Sequence, residues 1–276
     1  MIGVKVAVCS SMKSGTWLLR EIVTQLTGLH AYEPDMPAGR PQYDDPQTLI
    51  FPPDSFFSWH LLPTGVAGER LRESGAKSIF LVRNIYDTLL SIHRHLLHDV
   101  DAEIGRATGQ ASFLNQFSRD QALTLVINGY REVPYDWHGM GPVLFHLQEL
   151  LAYSLNNEVL LTSFERLTQN KAVEVEKIAA YLGVASNAAS IEAICAATSI
   201  ANMRAAAHHR GQGQAHFQIG SVGAHDVELT DFHKVLLRGV MQNDAPKLPA
   251  LVVKTGFKEI LKGSHSPYAH AQGATP

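Results

Sequence analysis

Val4-Lys5-Val6-Ala7-Val8-Cys9 runs directly into Ser10-Ser11-Met12-Lys13-Ser14-Gly15-Thr16-Trp17, and then into Leu18-Leu19-Arg20-Glu21-Ile22-Val23. An apolar strand, a small-residue turn carrying one lysine, and an amphipathic helix follow one another without interruption. That order builds a phosphate cradle. The turn and the first helical residues direct backbone N–H groups at an anion, and the helix dipole adds partial positive charge. Lys13 adds a full charge, and the hydroxyls of Ser14 and Thr16 offer further donors. A nucleoside-triphosphate loop reads G-x-x-x-x-G-K-[ST]. Here Met12 stands where its second glycine belongs and Ala7 where its first does, so the loop is not expected to wrap a triphosphate in that manner. A turn whose Ser and Thr simply cap the helix is the plainer alternative for this stretch alone.

Working outward, strands and helices alternate. The first helix is predicted from about Thr16 to Leu26, and the Pro/Gly/Asp-rich stretch Glu33 to Asp54 reads as loop. Ser55 to Leu62 reads as a buried strand, Gly65 to Ser74 as a short helix, Lys77 to Val82 as a strand, and Tyr86 to Leu97 as a helix. Further elements are a helix at Gly141 to Leu155, a strand at Glu158 to Thr162, and helices at Lys171–Leu182 and Ala188–Ala196. Continuous apolar strands separated by helices predict an α/β fold, a central parallel sheet covered on both faces in three α/β/α layers. Ligands of such sheets bind beyond the carboxyl ends of the strands, where Lys13, His60 and Arg83 fall. Regularity weakens from about Ala205, and His208 to Gln214 reads as a Gly-rich mobile loop. One domain over residues 1–262 is expected, with 263–276 a flexible tail.

The chain has 276 residues, 45% of them hydrophobic, with formal net charge −3 and a pI near 6.5. That is enough to bury a sizeable core. The near-neutral charge leaves no basic footprint for nucleic acid. Cys9 and Cys195 offer neither a disulfide framework nor metal-ligand spacing, and read as core residues of a reducing compartment. No secretory leader or membrane-length apolar run is visible, so a cytoplasmic protein without membrane insertion is expected. His93 and His95, at i, i+2 on one helix, are split across it, and neither they with His98 nor His208-His209 have a Cys or acidic partner to complete a set; no metal is expected.

The turn Lys13-Ser14-Gly15-Thr16-Trp17 resembles the 5′-phosphosulfate loop of the PAPS-dependent sulfotransferases, usually P-K-S-G-T-T-W, with Met12 for proline and one threonine fewer. Further motifs follow in that family's order. Ile79-Phe80-Leu81-Val82-Arg83-Asn84, with Asp87 and Ser91, resembles its 3′-phosphate segment, Ile85 and Tyr86 replacing the usual proline and arginine. An arginine fork at a strand end suits a phosphate; the plainer alternative is an ion pair of Arg83 with Asp87. Trp59-His60-Leu61-Leu62-Pro63 resembles K-T-H-L-P, whose histidine is the base, with Ser58 in place of the lysine. The plainer alternative is a satisfied core histidine. Phe164-Glu165-Arg166-Leu167 resembles Y-E-D-L, Lys177 to Val184 a K-I-A-x-F-L-G helix, and Thr198-Ser199-Ile200-Ala201-Asn202-Met203 a T-S-F-x-x-M segment. Gln218-Ile219-Gly220-Ser221-Val222-Gly223-Ala224-His225, with Thr230, is the counterpart of R-K-G-x-x-G-x-W…T without its two cations.

The resemblance implies a P-loop-type sulfotransferase that takes PAPS, releases PAP and needs no metal. His60 would be the base and Lys13 the stabiliser of the leaving 5′-phosphate, with Ser14, Gly15, Thr16 and Trp17 around it. Arg83 and Ser91 would hold the 3′-phosphate. Phe164, Thr198, Ile200 and Trp17 would flank adenine. Gln218, Ile219 and Gly220 would stand where the family grips the far phosphate, with Arg210 or Arg204 supplying the missing charge. Glu33–Asp54, Tyr130, the Tyr135-Asp136-Trp137-His138 run and the loop near Arg210 would shape the acceptor pocket. Their aromatic, weakly charged character predicts a small, largely apolar alcohol or phenol. A kinase-like phosphotransferase and a non-catalytic nucleotide-binding homologue are the alternatives.

Overall fold

A computed structural model describes residues 4–32, 52–97, 110–132, 135–209 and 222–263. Its frame is a five-stranded parallel sheet in the order β2-β3-β1-β4-β7: His30–Tyr32, Ser55–Trp59, Lys5–Ser10, Lys77–Val82 and Val159–Ser163. The expected three-layer α/β/α architecture with a central parallel sheet is therefore the one adopted. Strand alternation assigns the faces. Val6, Val8, Ile79 and Leu81 pack on one side against helix α1 (Thr16–Thr27) and the helix Lys171–Leu182. Ala7, Cys9, Phe57, Phe80 and Val82 pack on the other against Ile85–Leu97 and Gly141–Ser154. Burial in this second layer pushes the Cys9 thiol pKa up.

Element boundaries follow local chemistry. Helix α1 ends where Gly28, at φ 67°, bonds its N–H to the Thr24 carbonyl at 2.8 Å. The strand expected to reach Leu62 stops at Trp59; Leu61 is still buried, but as core filling. The edge strand His30–Tyr32 was not expected, its three residues being too short for a period. Nor was the helix Arg119–Asn128, which Ser118 starts with a capping box to Gln121. Tyr130–Glu132 (β5) and Tyr135–Trp137 (β6) form an antiparallel hairpin, pinned by the Trp137 indole N–H to the Val126 carbonyl at 2.7 Å.

The largest departure lies beyond Ala205. Helices run over Ile200–His209, Asp231–Asp244 and Leu248–Thr255, then a 3₁₀ turn over Lys258–Leu261. Thr230 caps the second of these, and His233, Leu237 and Met241 form its narrow buried stripe. One apolar contact per turn is a weak sequence signal, yet Leu237, Met241, Leu248, Val252, Phe257 and Ile260 all join the main core. No helix among the described residues is long and apolar enough to cross a membrane. The expected loop at 33–51, Arg210, Gln218, Ile219, Gly220 and the tail from 264 lie outside the described residues.

The C-terminal segment is fastened to the functional edge of the sheet by Asn84. Its Oδ1 accepts the N–H groups of Tyr86 and Asp87 at 2.9 and 3.2 Å, capping the helix that follows β4. Its Nδ2 donates to the carbonyls of Glu259 and Lys262 at 2.8 and 2.9 Å. Asn84→Ala removes the cap and takes their Asn84 donor from the part-buried carbonyls of Glu259 and Lys262. A loss of about 2–3 kcal/mol in urea unfolding, at unchanged m-value, is expected.

Candidate active site

The loop after β1 is held at both ends by backbone. Ser11 N–H reaches the Leu81 carbonyl of the neighbouring β4 at 3.0 Å, and Ser14 returns its N–H and hydroxyl to the Ser11 carbonyl at 3.3 and 2.6 Å. Between them Lys13 sits at φ 59°, left-handed although not a glycine, and Gly15 follows at φ 96°. Left-handed residues in such a turn gather N–H groups on its concave side. Gly15 is the N-cap of α1, whose first turn carries no acid; the helix supplies no acceptor for its own first N–H groups. A cradle for an anion results. The Ser14 hydroxyl is spent inside the loop, and Thr16 Oγ1 lies 2.7 Å from Ser10 Oγ, so both hydroxyls shape the cradle in this state.

Glycine is required at position 15 by a close approach. A Cβ there would stand 2.6 Å from the Phe164 ring. The same ring carries the Arg83 guanidinium 4.3 Å above its centroid, and Arg83 Nη1 donates to the Lys13 carbonyl at 3.0 Å. Gly15, Phe164 and Arg83, from the ends of three adjacent strands β1, β7 and β4, thus form one packed unit. Arg83 is only 6% exposed. Burial presses its pKa down, while the charges of Asp87 and Glu165 oppose that. Asp87 acts on it at a distance, because its carboxylate is taken by the N–H groups of Gly223 and His225 at 2.8 and 3.1 Å and by His225 Nδ1 at 2.9 Å. Burial would raise the Asp87 carboxyl, but these hydrogen bonds outweigh it and hold it below the ordinary carboxylate range. Glu165, buried with Oε1 on the Asn84 N–H, is raised by that burial.

His60 stands beside the loop because Cys9 pairs with Trp59, which puts the next residues of β3 and β1 side by side. Its Nδ1 lies 2.8 Å from the Ser10 carbonyl and 3.2 Å from Ser10 Oγ. A carbonyl can only accept, so Nδ1 carries the proton and Nε2 the lone pair, the tautomer a base needs. Burial lowers its pKa, the Ser10 carbonyl opposes, and the Lys13 charge lowers it further.

His146 was missed by sequence reasoning. It lies on Gly141–Ser154 with Nε2 2.8 Å from the Leu61 carbonyl, bracing the residue after His60. Burial takes its pKa down to about 4, so it holds this bond neutral. The available signal was a histidine on an otherwise apolar face with Val143, Leu147 and Leu150.

The remaining expected residues divide. Ser91 is half-buried on Ile85–Leu97, two turns beyond Arg83. Trp17 lies under the Arg20 guanidinium at 4.5 Å. Thr198 is buried, its hydroxyl on the Ile194 carbonyl at 2.8 Å, so it closes a helix rather than presenting a donor. Ile200 is 41% exposed. Gln218, Ile219, Gly220 and Arg210 lie outside the described residues, but Gly223 and His225, which end that motif, are fastened to Asp87 as above. Among the described residues no three His, Cys, Asp or Glu side chains gather as a metal set.

The arrangement invites comparison with known proteins. A family model described as a sulfotransferase domain matches residues 4–242. Among solved structures, the chain is similar to mouse sulfotransferase SULT7A1 complexed with PAP, at 17% identity over 92% of this chain and 89% of that one, with TM-score 0.64. It is also similar to retinol dehydratase with retinol and PAP, at 15% identity, 89% and 83% coverage and TM-score 0.59. The retinol dehydratase complex with androsterone and the inactive cofactor PAP gives 15% identity, 87% and 80% coverage and TM-score 0.60. At these identities the likeness is one of fold. No curated protein sequence matches significantly.

Gly15→Ala tests the packed unit. Left-handed strain and the clash with Phe164 predict a loss of about 2–4 kcal/mol in stability, read by thermal or urea unfolding, together with weakened anion binding at the loop.

Proposed function

Because the chain belongs to the sulfotransferase family, we propose that it transfers the sulfuryl group of PAPS to the hydroxyl of a small, largely apolar alcohol or phenol. The observation that carries this reading is the alignment of three groups at adjacent strand ends. These are a cationic anion cradle at Lys13, a histidine with its lone pair on Nε2 at His60, and a buried arginine fork at Arg83.

The residues fit such a ligand. A cradle free of acid at the start of α1, with Lys13, Ser14, Gly15, Thr16 and Trp17, suits the 5′-phosphate. Arg83, with Ser91, suits the 3′-phosphate, and Phe164, Trp17 and Ile200 are assigned to adenine. Thr198 would set the position of Ile200. Gln218, Ile219, Gly220 and Arg210 are assigned by motif register to the far phosphate. PAPS, when bound, supplies an activated sulfuryl group on a bisphosphate leaving group.

His60 takes the acceptor hydroxyl proton at Nε2 while its Nδ1–H stays anchored on the Ser10 carbonyl, a general-base role. Lys13 and the N–H groups of the turn stabilise the charge that develops on the leaving phosphate oxygen. Arg83 holds binding energy remote from the bond being broken, which orients the ligand. The apolar acceptor class is supported by the retinol and androsterone in the two retinol dehydratase complexes. Free thiols at Cys9 and Cys195 accord with a cytoplasmic setting.

Transfer of labelled sulfate from PAPS to a panel of alcohols and phenols tests the reading, and calorimetry with PAP against ATP–Mg²⁺ separates it from a kinase-like one. His60→Ala should lower turnover about 100-fold or more with PAP affinity retained. A base acts unprotonated, and the folded protein lowers the His60 pKa below its ordinary 6.5. The acid limb of kcat/KM should therefore fall below pH 6.5, and His60→Ala should remove it.

A further inference from the structure

Arg83 has a second attachment besides any ligand. Its Nη1 donates to the Lys13 carbonyl at 3.0 Å, and its guanidinium plane rests on Phe164, the ring that also abuts Gly15. Lys13 occupies a left-handed conformation at φ 59°. For a residue with a Cβ that conformation costs about 1–2 kcal/mol and persists only where surroundings enforce it. The peptide unit is planar, so fixing the Lys13 carbonyl also orients the Ser14 N–H, which closes the turn on the Ser11 carbonyl at 3.3 Å. Arg83 is the side chain that reaches this carbonyl from the neighbouring strand. A guanidinium has five donors in a fixed fork, and the bond to Lys13 uses one of them.

We infer that Arg83 is a positioning residue for the Lys13 loop, coupling the far-phosphate subsite to the group that stabilises the leaving phosphate. The inference rests on the sulfotransferase reading for the identity of the ligand. Coupling is reciprocal: a phosphate that orders the Arg83 fork also orders the Lys13 turn, and an intact turn presents a better-placed fork. A residue that only binds the 3′-phosphate has no influence on ligands lacking it. A residue that shapes the loop weakens them all.

Isothermal titration of the full chain with PAP and with 5′-AMP, which has no 3′-phosphate, separates these cases. Arg83→Lys keeps the charge but loses the planar fork and the stacking on Phe164. It should weaken PAP strongly and 5′-AMP by about fivefold or more, the weight of one hydrogen bond holding the loop. At saturating PAPS it should also lower kcat, since Lys13 is displaced, and not raise KM alone. If Arg83→Lys does not fold, as judged by its thermal melt, Arg83→Gln carries the same comparison with a planar donor and no charge. Retention of 5′-AMP affinity within about twofold, with PAP weakened, would overturn the coupling and leave the sulfotransferase reading standing. An unmodified protein that binds neither nucleotide overturns both.

Discussion

Everything at the functional edge depends on the parallel register of the central strands. Cys9 lies opposite Trp59, Ser10 opposite Leu81, and Val82 opposite Ser163. A slip of one residue would turn each strand over, sending Val6 and Val8 into the layer built for Ala7 and Cys9. The two faces carry different cores, so the register is held by packing far from any ligand. His60, Lys13, Arg83 and Phe164 then emerge side by side, where Arg83 meets both the Lys13 carbonyl and the Phe164 ring.

Around them the protein accepts an arrangement that packing alone would not favour. Arg83, Asp87, Glu165 and Asn84 are all buried beside one another. Removing such charges from water is costly unless each finds a partner. The partners come from distant parts of the chain: the Gly223 and His225 amides for Asp87, the Asn84 amide for Glu165, and the Lys13 carbonyl for Arg83. Asp87 and Glu165 have their pKa values moved in opposite directions, one by received hydrogen bonds and one by burial. That split keeps Asp87 charged for the His225 segment.

The chemistry-bearing positions were legible because each sits next to a strong local signal. Lys13 interrupts an apolar strand and an amphipathic helix, and His60 and Arg83 end apolar runs. The supporting positions were not. Asn84 reads as an ordinary residue after an arginine, and its double role appears only when the C-terminal turn folds back on it. His146 is hidden within an apolar helix and matters through a backbone carbonyl. The Arg83–Asp87 pair looked natural at helical spacing, yet three donors from the Gly223–His225 segment claim Asp87. The helices beyond Ala205 bury too narrow a stripe to register as a period. Local pattern marks what the edge presents, and tertiary contact alone reveals what holds it.

The Asn84 clamp also sets an order of events in the life of the chain. Its two carbonyl partners lie 175 and 178 positions further along, and nothing synthesised earlier supplies them. The sheet and its cradle are encoded earlier and close through nearer contacts, whereas the wall behind Arg83 waits for the Glu259–Lys262 segment to leave the ribosome. Contacts of such sequence separation must meet the cost of loop closure before they return any stability. A chain shortened by a few residues before Lys262 would carry every chemical group of the site and lack the clamp behind it.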